Sequence, residues 1–122
     1  MRRQEYSNEP FSSDLYGIAC EDLEEAGSLW EKTRTAIEKA LHIQLQLAPK
    51  NEQIYSGELT GAETLLLELN YDPVRQRFAN ENFIEYGVLL RVGVPTERAD
   101  ELQRQPLQKV PSLVFLRRRE FD

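Results

Sequence analysis

The sequence predicts an α+β domain in which a mainly antiparallel sheet of about five strands is covered by one long helix and one short helix. The first observation is that the spacing of apolar residues switches between a period of two and a helical period, in the order strand, helix, three strands, helix, strand. That order lacks the strict alternation of a doubly wound parallel sheet. The second is length, since 122 residues make one ordinary domain able to bury about two thirds of its unfolded surface. The third is composition: 40% apolar and 30% charged residues, with the apolar ones gathered in short runs, fit a folded rather than a disordered chain.

Residues 1–12 are polar up to Phe11 and are expected to be a loose tail, leaving 13–122 as the single domain. Asp14 to Cys20, DLYGIAC, alternates as a short strand. From Asp22 to about Leu45 the repeat becomes helical, through Leu23, Ala26, Trp30, Ile37 and Leu41. Asp22 with Glu25, or Ser28 with Glu31, supplies a capping pair at its start, and Pro49 is expected to close the segment. Ile54–Leu59 and Ala62–Asn70 read as two strands turning at Thr60-Gly61, with Leu65, Leu67 and Leu69 on one face.

LNYDPVRQRF, residues 69–78, then stops the second of these strands: Asp72 can bond the backbone beyond it and Pro73 has no amide hydrogen for a ladder. Phe83–Val94 alternates without interruption and is expected to be a central strand. Pro95-Thr96-Glu97 opens the short helix, which runs to about Arg104 before Pro106 stops it, and Val110–Arg117 is the last strand.

Several chemistries are disfavoured. One cysteine and one histidine give neither a disulfide framework nor a Cys/His zinc set, so no metal or other cofactor is expected. The glycines form neither a dinucleotide fingerprint nor a phosphate loop. Cys20, next to Glu21 and Asp22, lacks the electropositive surroundings of a nucleophile and is expected to pack as a buried thiol. A net charge of −6 argues against nucleic acid, and no run is apolar enough to span a membrane. A cytoplasmic location is expected, as a monomer or homodimer.

The charge is uneven, with 13 acids against 6 bases in residues 1–68 and 8 against 9 in residues 69–122. Glu21, Asp22, Glu24 and Glu25 favour a helix N-terminus electrostatically, and with Glu31 and Glu38 further along they can present a negative stripe to a cationic partner. The second candidate contact is the connection containing Tyr71, Asp72, Arg75, Arg77 and Phe78, where guanidinium groups beside aromatic rings are typical of binding hot spots. Arg117-Arg118-Arg119 reads as a solvated strand end.

Taken in order, the leucine-rich strand ending in Asn70-Tyr71-Asp72, then Glu85-Tyr86 leading to Leu89-Leu90-Arg91-Val92, then Thr96 to Leu102, resembles small bacterial toxin-immunity proteins over about residues 50–104. The resemblance implies a non-catalytic, cofactor-free protein that occludes a basic toxin or effector domain, and it transfers no functional residues. A small acidic chaperone for an exported effector, or a ligand-binding or enzymatic domain with a pocket near Glu68, Tyr86 and Arg91, are the alternative expectations.

Overall fold

The computed structural model describes residues 10–60 and 63–121. The chain is an α+β fold built on a six-stranded antiparallel sheet with two helices. In chain order the elements are β1 (Phe11–Ala19), α1 (Ala26–Leu41), β2 (Gln46–Ala48), β3 (Asn51–Glu58), β4 (Thr64–Leu69), β5 (Tyr71–Asp72), β6 (Arg77–Phe78), β7 (Tyr86–Pro95), α2 (Thr96–Arg104) and β8 (Val114–Phe121). The sheet order is β2-β3-β4-β7-β1-β8, while β5 and β6 pair separately as a small hairpin. The expected count of about five strands is exceeded because Gln46–Ala48 adds an edge strand beyond β3.

Alternation along the strands decides which face is covered. Leu65, Leu67 and Leu69 of β4, and Val88, Leu90, Val92 and Val94 of β7, are buried together with Tyr16, Ile18, Trp30 and Ile37 under the helices. As expected, β7 is central, paired with β1 on one side and β4 on the other. Trp30 fixes α1 to the sheet: its indole N–H donates to the Leu67 carbonyl at 3.0 Å, and its ring lies 4.6 Å from that of Tyr55. Ile54, Leu66, Glu68 and Arg91 share the opposite face, where neither helix lies.

The ends of several elements differ from the sequence reading. Strand β1 begins at Phe11, so Phe11 and Ser12 belong to the sheet, paired with β7 and β8; residues 1–9 of the expected tail lie outside the described residues. At the other end, α1 stops at Leu41 instead of near Leu45. His42 adopts the left-handed conformation with φ 57°, and the Glu38 carboxylate accepts the Leu45 amide at 2.8 Å, turning the chain into β2. Pro49 consequently lies in the β2–β3 turn. Asp22 does cap, accepting the Glu24 amide at 3.0 Å, but it opens a single 3₁₀ turn, Leu23–Glu25, that leads into α1. Of the Thr60-Gly61 turn, Gly61 lies outside the described residues, and β4 begins at Thr64.

Strand β8 runs four residues later at both ends than expected, because Leu107, Val110 and Leu113 are used in successive turns before the strand starts. The arginine run is therefore inside the strand. Arg118 is no solvated end: its guanidinium grips both oxygens of buried Asp14 at 2.7 and 3.0 Å and reaches Asp100 of α2 at 2.8 Å. That bidentate pair ties the edge strand to β1 and to the short helix.

Asn70 is fully buried where β4 leaves the sheet. Its side-chain amide donates to the carbonyls of Asn80, Phe83 and Tyr86, the last at 2.7 Å, and its oxygen accepts the Asn80 amide at 2.7 Å. Its own backbone N–H and C=O bond Gly87 and Ala79. One side chain thus supplies the hydrogen bonds of a connection that has little apolar core of its own.

Two stability outcomes are expected in urea unfolding. Asn70→Ala leaves several buried backbone groups without partners and lowers stability by about 3 kcal/mol. His42→Gly removes the strain of a left-handed residue bearing a Cβ and raises stability by about 1 kcal/mol.

Candidate functional site

The antiparallel register brings the two charged segments singled out in the sequence to one end of the sheet. Ala19 of β1 faces Tyr86 of β7, and Leu69 of β4 faces Val88, so the chain leaves β1 and β4 and enters β7 at the same end. The Cys20 amide donates to the Glu85 carbonyl at 3.3 Å, which places the acidic turn 21–25 directly beside the connection 80–85. Glu21, Asp22, Glu24 and Glu25 are all exposed there, as are Glu81 and Glu85. Ile84, 53% exposed, sits among them.

The sequence reading passed over Glu81, Ile84 and Glu85, because Ile84 and Glu85 were counted within the strand that in fact starts at Tyr86. The signal that could have moved the boundary was Asn80, which caps the turn Glu81–Phe83 by accepting the Asn82 amide at 3.0 Å.

Glu31 and Glu38 do not extend this acidic end. Tyr55 donates its hydroxyl proton to the Glu31 carboxylate, with contacts of 2.9 and 3.0 Å. Arg34 lies 3.4 Å from Glu38 and stacks 4.5 Å from the centre of the Tyr55 ring. Their negative charge is largely spent on holding α1 against β2 and β3.

Residues 71–78 form a closed hairpin. Tyr71 pairs with Phe78 and Asp72 with Arg77, and the two aromatic rings stack 5.0 Å apart. Asp72 accepts the Val74 and Arg75 amides at 3.0 and 3.2 Å, and the Arg75 guanidinium at 2.7 Å. Its carboxyl is held down to about 2, chiefly by Arg75, with Gln53 and the two amides adding to the effect against the cost of burial. Gln76, at φ 53°, donates its amide to the Asp72 carbonyl at 2.7 Å and closes the turn. Val74 is 89% exposed at the tip. Of the five residues proposed here, Asp72 is thus consumed by the turn, Tyr71 is half-buried against the core, Phe78 is half-buried against Tyr71, and Arg75 and Arg77 are exposed.

Between this hairpin, the start of β3 and the uncovered sheet face lies an open cleft of about 800 Å³, lined among others by Asn51, Glu68, Arg77, Glu81, Asn82 and Arg91. Glu68 is held above the usual carboxylate range by burial, an effect that Arg91 opposes. Tyr86, expected beside them, does not line it. Cys20 is half-buried just past β1 rather than enclosed in it, and its thiol donates to the Asp22 carbonyl at 3.0 Å. Burial first, then the charges of Asp22 and Glu25, push the thiol up, so it remains protonated at neutral pH. No cluster of three metal-binding side chains occurs among the described residues, and no described helix is long and apolar enough to cross a membrane.

No family model, curated protein or solved structure matches the chain.

The Asp72 carboxyl titrates near 2 in the fold and at about 3.9 in an unfolded chain. Its contribution to stability is therefore complete above about pH 4 and lost as the pH falls through 2. Acid-unfolding curves of wild type and Asp72→Asn should converge over that interval, with the variant less stable at neutral pH and less sensitive to acid.

Proposed function

We propose that the protein binds a basic partner protein and blocks it by occlusion, in the manner of toxin-immunity proteins. The single observation that carries this reading is the meeting of two sequence-distant segments, 21–25 and 80–85, in one exposed acidic end that also carries the exposed Ile84. An apolar side chain ringed by charge is a common layout of protein interfaces: the centre is desolvated on binding while the rim selects the partner. Six like charges on one end also accelerate encounter with a cationic surface and lower its affinity for anionic ones. The exposed Val74 and Arg75 of the hairpin tip, at the same end, extend the contact. The mode of action needs no reaction, only a fit that covers the partner's working surface.

Complex formation with the product of the adjacent gene tests it. The Glu24→Lys/Glu25→Lys/Glu85→Lys variant should associate at least about tenfold more slowly at low salt, with a weaker salt dependence, while Ile84→Ala should mainly speed dissociation. Absence of a complex, together with failure to rescue cells expressing that product, removes the reading.

A chaperone for an exported effector is the second reading, favoured by the edge of β8, which has no neighbour among the described residues and where Val114, Phe115 and Phe121 are exposed. Such a client would pair with that edge as an added strand. Hydrogen exchange separates the two, slowing at 114–121 for a chaperone and at 21–25 and 80–85 for an occluding inhibitor.

A further inference from the structure

We propose that the cleft between the 71–83 connection and the uncovered sheet face binds a small zwitterion of the amino-acid class, carrying one carboxylate and one ammonium group. This site adjoins the acidic end, sharing Glu81 and Asn82 with segment 80–85, and does not depend on the docking reading above.

The arginines elsewhere in the fold show what an engaged guanidinium looks like. Arg34, Arg75, Arg98 and Arg118 each lie within an ion pair, and Arg117 covers the Phe83 ring at 5.4 Å. Four others, Arg104, Arg119, Arg77 and Arg91, have no carboxylate within 4 Å among the described residues, although acids outnumber bases in this chain 21 to 15, and what sets the last two apart is that they share a cleft. They come from the hairpin and from the central strand, and both line the same cleft. Two unpaired guanidinium groups in one concavity are suited to a planar carboxylate, which either can hold through two parallel bonds.

A simple anion is not the best complement. Asp72 is neutralised by Arg75, which leaves Glu68 and Glu81 as the carboxylates of the cleft against Arg77 and Arg91. The lining is balanced, two charges of each sign, and it rewards a ligand whose own charges are separated and sum to zero. Glu68, half-buried on the floor and without a hydrogen-bond donor among the described residues, is the acceptor placed to take the ammonium. Asn51 of β3 and Asn82 of the connection add amide groups to the lining for a polar side chain.

The walls are already built. Asn70 pins the connection from beneath through Asn80, Phe83 and Tyr86, and Asp72 and Gln76 lock the hairpin. Little ordering is left for binding to impose, which favours even a small ligand.

The test is a titration of the full chain, followed by amide chemical shifts, with L-glutamine and L-serine as probes and with acetate and methylammonium as single-charge controls. Saturable shifts confined to residues 51–53, 68, 77–82 and 91 are expected, with half-saturation at or below about 1 mM. Each single-charge control should bind at least about tenfold more weakly than the tighter amino acid. Glu68→Gln and Arg91→Gln should each weaken binding at least tenfold while the melting temperature shows the fold intact. Arg77→Gln, on an exposed hairpin position, gives the same readout should Arg91→Gln unfold. The proposal is overturned by shifts that fail to saturate up to about 10 mM. It is equally overturned if acetate binds as tightly as the amino acids, or if folded variants bind as wild type does.

Discussion

The carboxamide of Asn70 is the constraint on which this structure depends. A connection that crosses the end of a sheet has backbone groups that neither a helix nor a ladder satisfies, and burying them unpaired is costly. Asn70 meets several of those groups at once, as donor to three carbonyls and acceptor of one amide. A carboxylate of the same shape could not donate, and an apolar side chain could do neither. The position of the 80–85 segment, and with it the acidic end and one wall of the polar cleft, follows from a single buried side chain.

Charge is used in two ways in this fold. Where carboxylates meet arginine, tyrosine or a free amide, they fasten elements together: Asp14 with Arg118, Glu31 with Tyr55, Glu38 with the amide after the helix. Others have no such partner among the described residues: Glu21, Glu24, Glu25, Glu81 and Glu85 lie at the end of the sheet where α1 begins, and Glu52, Glu58, Glu97 and Glu120 are exposed elsewhere. The same division runs through the arginines: among the described residues Arg34, Arg75, Arg98 and Arg118 are ion-paired, whereas Arg77, Arg91, Arg104 and Arg119 are not, and Arg77 and Arg91 share the cleft. Composition alone could show an excess of acid, but only the register could show which acids remained unpaired.

Much of the architecture was legible. Uninterrupted alternation identified β7 as central, and the leucine spacing identified the buried face of β4. Asp72 and Pro73 were readable as a stop because their chemistry acts within three residues. Asn70 carried no such local signal, since its partners lie ten to sixteen residues away and depend on the strands being paired first. Strand β8 was displaced because a run of arginine looks like solvated chain until Asp14, on the neighbouring strand, is seen opposite Arg118. The helix end was misplaced for a related reason: proline was an obvious stop, whereas His42 ends the helix in a conformation that the residue type does not announce. Of the site, the acidic turn was visible and its meeting with Glu81, Ile84 and Glu85 was not.

Among the described residues, strand β8 leaves one edge of the sheet without a neighbour. An edge of eight residues with exposed Val114, Phe115 and Phe121 is the kind that joins to its own copy and grows into a continuous ribbon. Here the middle of the strand is Arg117-Arg118-Arg119, so a two-fold antiparallel register centred on that run sets guanidinium against guanidinium, a repulsion that cross-strand pairing does not tolerate well. Arginine keeps its charge at every pH a cell reaches, which makes this a permanent guard rather than a conditional one. The edge is closed to self-assembly of that register, yet still open to a strand of opposite sign.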